Sequence, residues 1–413
     1  MLKWFTSKIA TPTANAAPAD GADPARRVRA LVERGALEEA HAALRDALEA
    51  RPSADLLRML GALHAGEQRY DDAADALYQA LQLEPRHAAA ANLLGVCLSL
   101  AMRLDEAAAY YGLALECDPS LADAYANAGW NSLLVGGPEA NRFFREWLAR
   151  MRGPQGFAAA PAADRLRLEA VTLCCVDCAY HSLAADALRL TLAKCDFEEA
   201  LFLSDRDCGV NGVRFVKVDP ITSAAQYSNF VFHKLREYIA TDHVLIVQYD
   251  GFVLNAAAWD PSFLRYDYVG APMRTNDGYV VGNGGFSLRS RKLLDALRND
   301  PETSRYDALR GPLHEDIAIC KVYRSALETR HGIAFAPVAV ADRFAAESSS
   351  PTASNFGFHN ILHLVGLYQN QFRLPETAEK GTIDIAFRAQ TEFGALTVPR
   401  QIEIHSKPGF WAN

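Results

Sequence analysis

The sequence has no block rich in lysine or arginine, and its formal net charge is −8. Nucleic-acid binding needs a basic patch, so the composition argues against that class. No apolar run approaches the ~18 residues that a membrane-spanning helix requires. The N-terminal stretch starts basic but holds no continuous apolar core, because Lys3, Thr6, Ser7 and Lys8 interrupt it. No export signal is therefore expected. The glycines are scattered: no GxGxxG follows the first expected strand and no P-loop occurs, which argues against a dinucleotide dehydrogenase and a P-loop ATPase. Among eight cysteines, Cys175 and Cys178 form a CxxC whose partner half, a second CxxC or a spaced histidine pair, is missing nearby. Reduced, buried thiols in a cytoplasmic protein are expected, rather than a disulfide framework or a zinc site. A peripheral membrane contact through Leu2, Trp4, Phe5 and Ile9 is the alternative location.

What is present is a two-domain pattern. The chain has 413 residues, 50% of them hydrophobic and 22% charged, enough for two or three globular domains. Residues 1–24, rich in Ala, Pro, Thr and Asp, read as a disordered leader. A period follows. Gly61, Gly95 and Gly129 are 34 residues apart, as are Pro85 and Pro119, and Pro52 precedes them by 33. Ala40, Ala73 and Ala107 keep the same rhythm, as do Leu48, Leu81 and Leu115. Each unit reads as helix, turn, helix and a proline stop, since proline cannot continue a helix. Small residues such as Gly95 and Ala107 let paired helices approach closely. The pattern resembles the tetratricopeptide repeat, which implies an all-α helical array over 25–150 whose concave surface binds a peptide or protein partner. A spacer or dimerisation element is the competing role. Residues 151–165, rich in Gly, Pro and Ala, read as a linker.

From residue 166 to 413 the periodicity changes. Leu168–Asp177, Glu199–Asp205 and Val213–Asp219 read as strands, and His181–Cys195 and Ser223–Ala240 as helices. This alternation predicts a mostly parallel α/β sheet. The segment from His243 to Phe252 is the most informative. Four apolar residues run into Gln248, Tyr249, Asp250 and Gly251, as expected for a strand buried on both faces and ending in a carboxylate. Ligands of such sheets bind beyond the carboxyl ends of the strands, where an acid can hold a hard cation and, through it, a phosphate. A turn-forming Asp-Gly pair is the bland alternative. Gly282, Asn283, Gly284 and Gly285 form a loop that lets a ligand approach the backbone, and Arg289 and Arg291 follow it. Glu315 and Asp316 open an apparent helix, where acids also meet the helix dipole favourably. Residues Ile333–Glu347 read as strand-like.

QYDGF, YDYVGAP, GNGGFSLRS, HED and FGFH occur in this order. Together they resemble a family of uncharacterised proteins whose domain looks like a GT-A-type glycosyltransferase, over about Val171 to His363. The resemblance implies a Rossmann-like core that moves a sugar from a nucleoside-diphosphate donor to a hydroxyl of a glycan or protein acceptor. It implies a divalent metal, Mn²⁺ or Mg²⁺, held by Asp250 and His359. It implies donor and acceptor contacts from Gln248, Tyr249, Arg289 and the loop Gly282, Asn283, Gly284 and Gly285. The acidic pair Glu315 and Asp316 falls where inverting members keep their general base, with Asp316 preferred. Gln248 departs from the family's DxD, and a neutral amide is a weaker partner for a hard cation than a carboxylate. That departure leaves two other functions open: a catalytically degenerate fold acting as a scaffold, and a metal-dependent hydrolase using Asp250, Asp316 and His359.

Overall fold

The computed structural model describes residues 23–152, 164–275, 278–311, 313–369, 373–378 and 382–403. The expected leader and linker fall almost wholly outside these residues. The chain divides into two compact units, one running through Met151 and taking in Ile385–Arg400, the other comprising Arg152–Asp384 and residues from Gln401. The tail expected within the second domain is thus shared, and Ile385–Arg400 belong with the first unit.

Among the described residues the first unit contains eight helices: α1 (Pro24–Glu33), α2 (Leu37–Ala50), α3 (Ala54–Gly66), α4 (Tyr70–Leu83), α5 (Ala88–Leu100), α6 (Leu104–Cys117), α7 (Ala122–Leu134) and α8 (Ala140–Arg152). Pro24 sits in the first turn of α1 and Asp23 caps it by accepting from the Ala25 N–H, as helix starts favour. The periodic glycines have a direct physical reason. A Cβ at Gly61 would lie 2.6 Å from Cγ of Leu77, and one at Gly95 would lie 2.6 Å from the ring of Tyr111. At Gly129 the same addition would overlap the ring of Phe144. In each helical pair one large side chain on the second helix occupies the space left by one glycine on the first.

The tail forms a β-hairpin, Thr382–Thr391 with Gly394–Glu403. Within the first unit it is gripped by side chains of alternate helices. Asn127 on α7 donates to the carbonyl of Arg388 at 2.6 Å and accepts from the Arg388 N–H at 2.9 Å. Asn92 on α5 donates to the same carbonyl at 3.1 Å, and its own oxygen receives the Asn127 amide at 3.0 Å. Both asparagines are buried, so these bonds replace water that the amides have lost.

The second unit begins with β1 (Leu166–Val176), α9 (His181–Leu192), β2 (Cys195–Ser204), β3 (Arg214–Lys217), α10 (Ala224–His233) and β4 (His243–Val247). It continues through β5 (Tyr268–Gly270), β6 (Pro272–Thr275), β7 (Gly278–Val281), β8 (Ser287–Ser290), α11 (Arg291–Asn299), α12 (Glu315–Ile317) and α13 (Arg324–His331). It ends in α14 (Val338–Phe344), β9 (Ala345–Ala346), β10 (Gly357–Phe358) and α15 (Ile361–Gln369). The main sheet has the order β3-β2-β1-β4-β8-β5. β1, β2, β3 and β4 run parallel, and β8 is antiparallel to both of its neighbours. The expected parallel sheet is therefore mixed at one side. Both faces of the central strands are covered. Cys174, Leu201, Val244 and Ile246 enter one apolar core, while Leu173, Cys175, Phe202, Leu245 and Val247 enter the other. This accounts for solid apolar runs without alternation. The chain winds to one side through β2 and β3, then crosses to place β4 on the other side of β1. Such a reversal opens a crevice at the carboxyl ends of β1 and β4.

Two further expectations meet the structure here. All eight cysteines are free thiols, and those of β1 are packed as small apolar groups. The strand-like reading of Ile333–Glu347 is corrected: Val338–Phe344 is a helix that starts directly after Pro337 and buries Ala341 and Phe344, three residues apart, on one face. Among the described residues no helix is long and apolar enough to cross a membrane.

Candidate functional site

β4 ends in a closed turn. The Gln248 N–H donates to the Gly251 carbonyl at 3.2 Å and the Gly251 N–H returns to the Gln248 carbonyl at 3.1 Å, so Tyr249 and Asp250 stand at the apex. Tyr249 packs on Tyr180, just beyond the end of β1, with ring centroids 4.6 Å apart. Asp177, directly after β1, accepts from the N–H groups of Ala179 and Tyr180 at 2.8 and 2.6 Å. Burial raises the Asp177 pKa, and the charge of Asp250 adds to the rise. Two acids from adjacent parallel strands thus face the same crevice.

The FGFH segment delivers His359 to this turn, as expected. Its Nε2 lies 3.1 Å from Gln248 Oε1 and 3.4 Å from Asp250 Oδ1. Its Nδ1 lies 3.1 Å from a carboxylate oxygen of Glu347, which precedes β10 and was not anticipated from the sequence. Burial disfavours charge on this imidazole, but Asp250 and Glu347 outweigh it and hold His359 well above the usual histidine range. Burial also raises Glu347, and His359 pulls it back. The imidazolium therefore sits between two carboxylates, donating from Nδ1 to Glu347 and from Nε2 to Gln248 Oε1, with Asp250 Oδ1 held 3.4 Å away as an ion pair. Asn283 lies 2.9 Å from the same Nδ1, and its amide can donate there only when the ring is neutral with its proton on Nε2. The Asn283 oxygen is committed to the N–H groups of Gly285 and Phe286, at 3.0 and 3.3 Å.

The GNGG loop runs between β7 and β8 and fits closely on two sides. A Cβ on Gly285 would overlap Nε2 of His359 and lie 2.6 Å from Oε1 of Gln248. On Gly284 it would overlap Glu315 Oε1. Glycine is required at both places because side chains from far along the chain already fill the space. Gly282 and Asn283 give their carbonyls to the hydroxyl of Tyr268, at 3.2 and 2.9 Å.

The acidic pair divides into two roles. Glu315, at the start of α12, is buried and pairs with Arg289 at 2.8 Å; Arg289 is 0% exposed, and its guanidinium also reaches Ser287 Oγ and the Gly284 carbonyl. The expected ligand contact from Arg289 and a proton-transfer role for Glu315 therefore find no solvent-facing group, since the two neutralise each other in the core. Asp316 differs. It is half-buried, accepts from the Gly284 N–H at 3.1 Å, and is raised to about 7 by burial and by the charge of Glu315. An acid in that range exchanges protons readily near neutral pH. Burial pushes the hydroxyl of Tyr227, on α10, well above the usual range; the charge of Glu315 adds to the rise and that of Arg289 opposes it. His363, on α15, is a packing residue: buried, bonded to the Glu347 carbonyl at 2.7 Å, and lowered by burial to about 4.

The donor set can be tested against the implied cation. Asp250 Oδ1 is buried, and no hydrogen-bond donor satisfies it among the described residues. With Gln248 Oε1 and His359 Nε2 it forms a group whose contacts to Nε2 are 3.1 and 3.4 Å, close to the separation of two ligands on one small cation. The three atoms fit a divalent ion once Nε2 gives up its proton. Glu347 binds the opposite ring nitrogen, which orients the imidazole. A second cleft, ≈ 650 Å³ and lined by Asp242, His243, Asp267, Arg291 and Lys292, lies at the amino end of β4. Its cations already hold acids, Arg291 with Asp242 at 3.1 Å and Lys292 with Asp267 at 3.2 Å.

Residues 26–84 and 67–122 match the family described as tetratricopeptide repeat, so the expected repeats are borne out. Residues 211–359 match the family described as "Protein of unknown function (DUF5672)", a span that contains every site residue from Gln248 to His359. Among solved structures the chain is similar to MamA, at 22% identity over 31% of this chain and 76% of that one, with a TM-score of 0.30. It is similar to MamA, residues 41 to the end, from Desulfovibrio magneticus RS-1, at 20% identity over 32% and 78%, with a TM-score of 0.31. It is also similar to YrrB, described as a tetratricopeptide-repeat protein with an unusual peptide-binding site, at 26% identity over 31% and 66%, with a TM-score of 0.29. No curated protein matches the chain.

Proposed function

We propose that the second unit is a glycosyltransferase of GT-A type, moving a sugar from a nucleoside-diphosphate donor to a hydroxyl acceptor. The observation that carries this reading is the convergence of Gln248, Asp250, His359 and Asp316 on one glycine loop at the carboxyl end of β4, beside the sheet's reversal. Asp250, Gln248 and His359 would hold a divalent cation, which when bound would supply positive charge for the departing diphosphate. Asp316 takes the acceptor hydroxyl's proton, and its raised pKa suits that task at neutral pH. Glu347 orients His359, and the Arg289–Glu315 pair fixes Gly284 and with it the N–H that holds Asp316.

The test is a panel of UDP- and GDP-sugars with and without Mn²⁺. A donor raises the thermal midpoint of the native protein, and Asp316→Asn keeps that shift while losing transfer by about 10²-fold or more. A panel with no shift, transfer or hydrolysis overturns the reading. Two observations favour a second reading, a scaffold that has lost catalysis: both ring nitrogens of His359 already have protein partners, Glu347 and Gln248, and Gln248 stands where the resemblance implies an acid. On that reading Asp250→Ala leaves the biological phenotype intact.

For the repeat array we infer binding of an extended polypeptide segment. Asn92 and Asn127 support it, since together they hold both backbone groups of one residue in an extended strand.

A further inference from the structure

Where the first two repeats meet, three donors of the type that ligate transition metals face one another. His41 comes from α2, His64 from the last turn of α3, and Glu67 from the residue that follows α3. His41 Nε2 lies 3.1 and 3.0 Å from the two oxygens of Glu67. His64 Nδ1 lies 3.9 Å from Glu67 Oε2, and one ligand atom from each residue falls within 4.8 Å of the others. The two imidazole rings are 4.9 Å apart, tilted by 33°. All three side chains are largely withdrawn from water, with exposures of 13, 11 and 23%.

A simple histidine–carboxylate bond accounts for His41 and Glu67 but leaves His64 unexplained. Its Nδ1 is buried and has no hydrogen-bond partner among the described residues. A nitrogen placed this way, beside a second imidazole and a carboxylate, lacks the one thing a cation would supply. The surroundings allow access and suit positive charge. The three line a cavity of ≈ 690 Å³ together with Glu38, Asp72 and Asp75. Arg45 and Arg69 line it too; Arg69 is hydrogen-bonded to Asp72 at 2.8 Å and has a longer ion pair, 3.7 Å, to Glu67 that a cation would displace.

We propose that His41, His64 and Glu67 form a binding site for a Zn²⁺-class divalent cation, joining the first two repeats. Two imidazole nitrogens and one carboxylate oxygen are a donor set typical of such ions, with a fourth position left for water from the cavity. Ligands on one zinc ion stand roughly 3.3 Å apart, so His64 needs to approach Glu67 by on the order of half an ångström and His41 by up to about 1.5 Å, while His41 and Glu67 are already close enough to each other. The site is independent of the transferase reading, because every ligand lies in the first unit.

Full-length protein stripped with chelator and titrated with Co²⁺ provides the test. The expected result is one tightly bound equivalent with visible d–d bands and no near-ultraviolet thiolate band. It persists in His359→Gln, and its affinity falls at least about 10-fold in His41→Gln and in His64→Gln. Glu67→Gln, which keeps shape and one oxygen, serves as the variant least prone to unfolding, and each protein's thermal midpoint without metal is measured in parallel. Binding that survives all three substitutions, a thiolate charge-transfer band, or no binding to the folded native protein overturns the proposal.

Discussion

The repeat array and the candidate site of the α/β unit solve the problem of close packing by different means. In the repeat array, a glycine on one helix receives a large side chain from the next helix, and the same device recurs at Gly61, Gly95 and Gly129. Its partners are near in sequence and apolar. At the candidate site of the α/β unit the tight places are Gly284 and Gly285, and what fills the space beside them is charged: Glu315, Arg289 and His359. Glu315 and His359 come from elements far along the chain, and each charged group must be neutralised where it sits. An apolar contact of the first kind loses only its own packing when broken. A buried charge of the second kind leaves its partner stranded.

That difference can be broken experimentally. The largest effect is expected at Glu315→Gln, which strands the wholly buried Arg289 and should cost about 3–5 kcal/mol in denaturant unfolding of the second unit. Replacing both residues by apolar ones should recover much of the loss. If the single change costs no more than a surface pair, the contrast between the units fails. Next is Gly95→Ala, expected to destabilise the array by about 1–3 kcal/mol because the new methyl meets the Tyr111 ring. Gly112→Ala is its control: a Cβ there meets nothing within 4 Å, and removing a helical glycine should stabilise by about 0.5–1 kcal/mol. Asn127→Ala removes both bonds to Arg388 and should cost about 1–2 kcal/mol, with faster amide exchange confined to Ile385–Arg400.

The smallest effect sharpens the comparison at Asp316. Its folded pKa, about 7, lies above the ordinary 3.8, so the folded state binds the extra proton. The stability this gives is complete below pH 3.8 and is lost as pH rises through about 7. Transfer moves the other way, since a base must be deprotonated, and should rise only about twofold between pH 7 and 8. A rate that is flat across that range, in a protein that transfers, removes Asp316 from the role.

How much was legible follows from the same distinction. The array's period could be read because its partners recur within one repeat, but that Tyr111 fills the space beside Gly95 could not. Asp250 and His359 could be paired through the resemblance, and the structure brings them within 3.4 Å. Glu347 was not legible: it closes a segment that looked like a strand, and nothing in its neighbours tells that it will meet a ring nitrogen. A signal was present, since like Asp250 it is an acid at the end of an apolar run. The burial of Arg289 was equally hidden, because a charged residue after a glycine loop looks the same whether it faces solvent or Glu315. Helix α14 misled through its valines, which favour strands until Pro337 presets the first turn of a helix.

The grip of Asn92 and Asn127 on Arg388 has a consequence for the order of events during synthesis. The repeats leave the ribosome first, but the strand that completes their hydrogen bonding lies 261 residues downstream of Asn127. At about 5–20 residues per second, those amides wait on the order of tens of seconds for it. During that interval the nascent array presents two carboxamides bonded to each other but lacking their backbone partner to whatever extended chain is at hand, a neighbouring nascent polypeptide included.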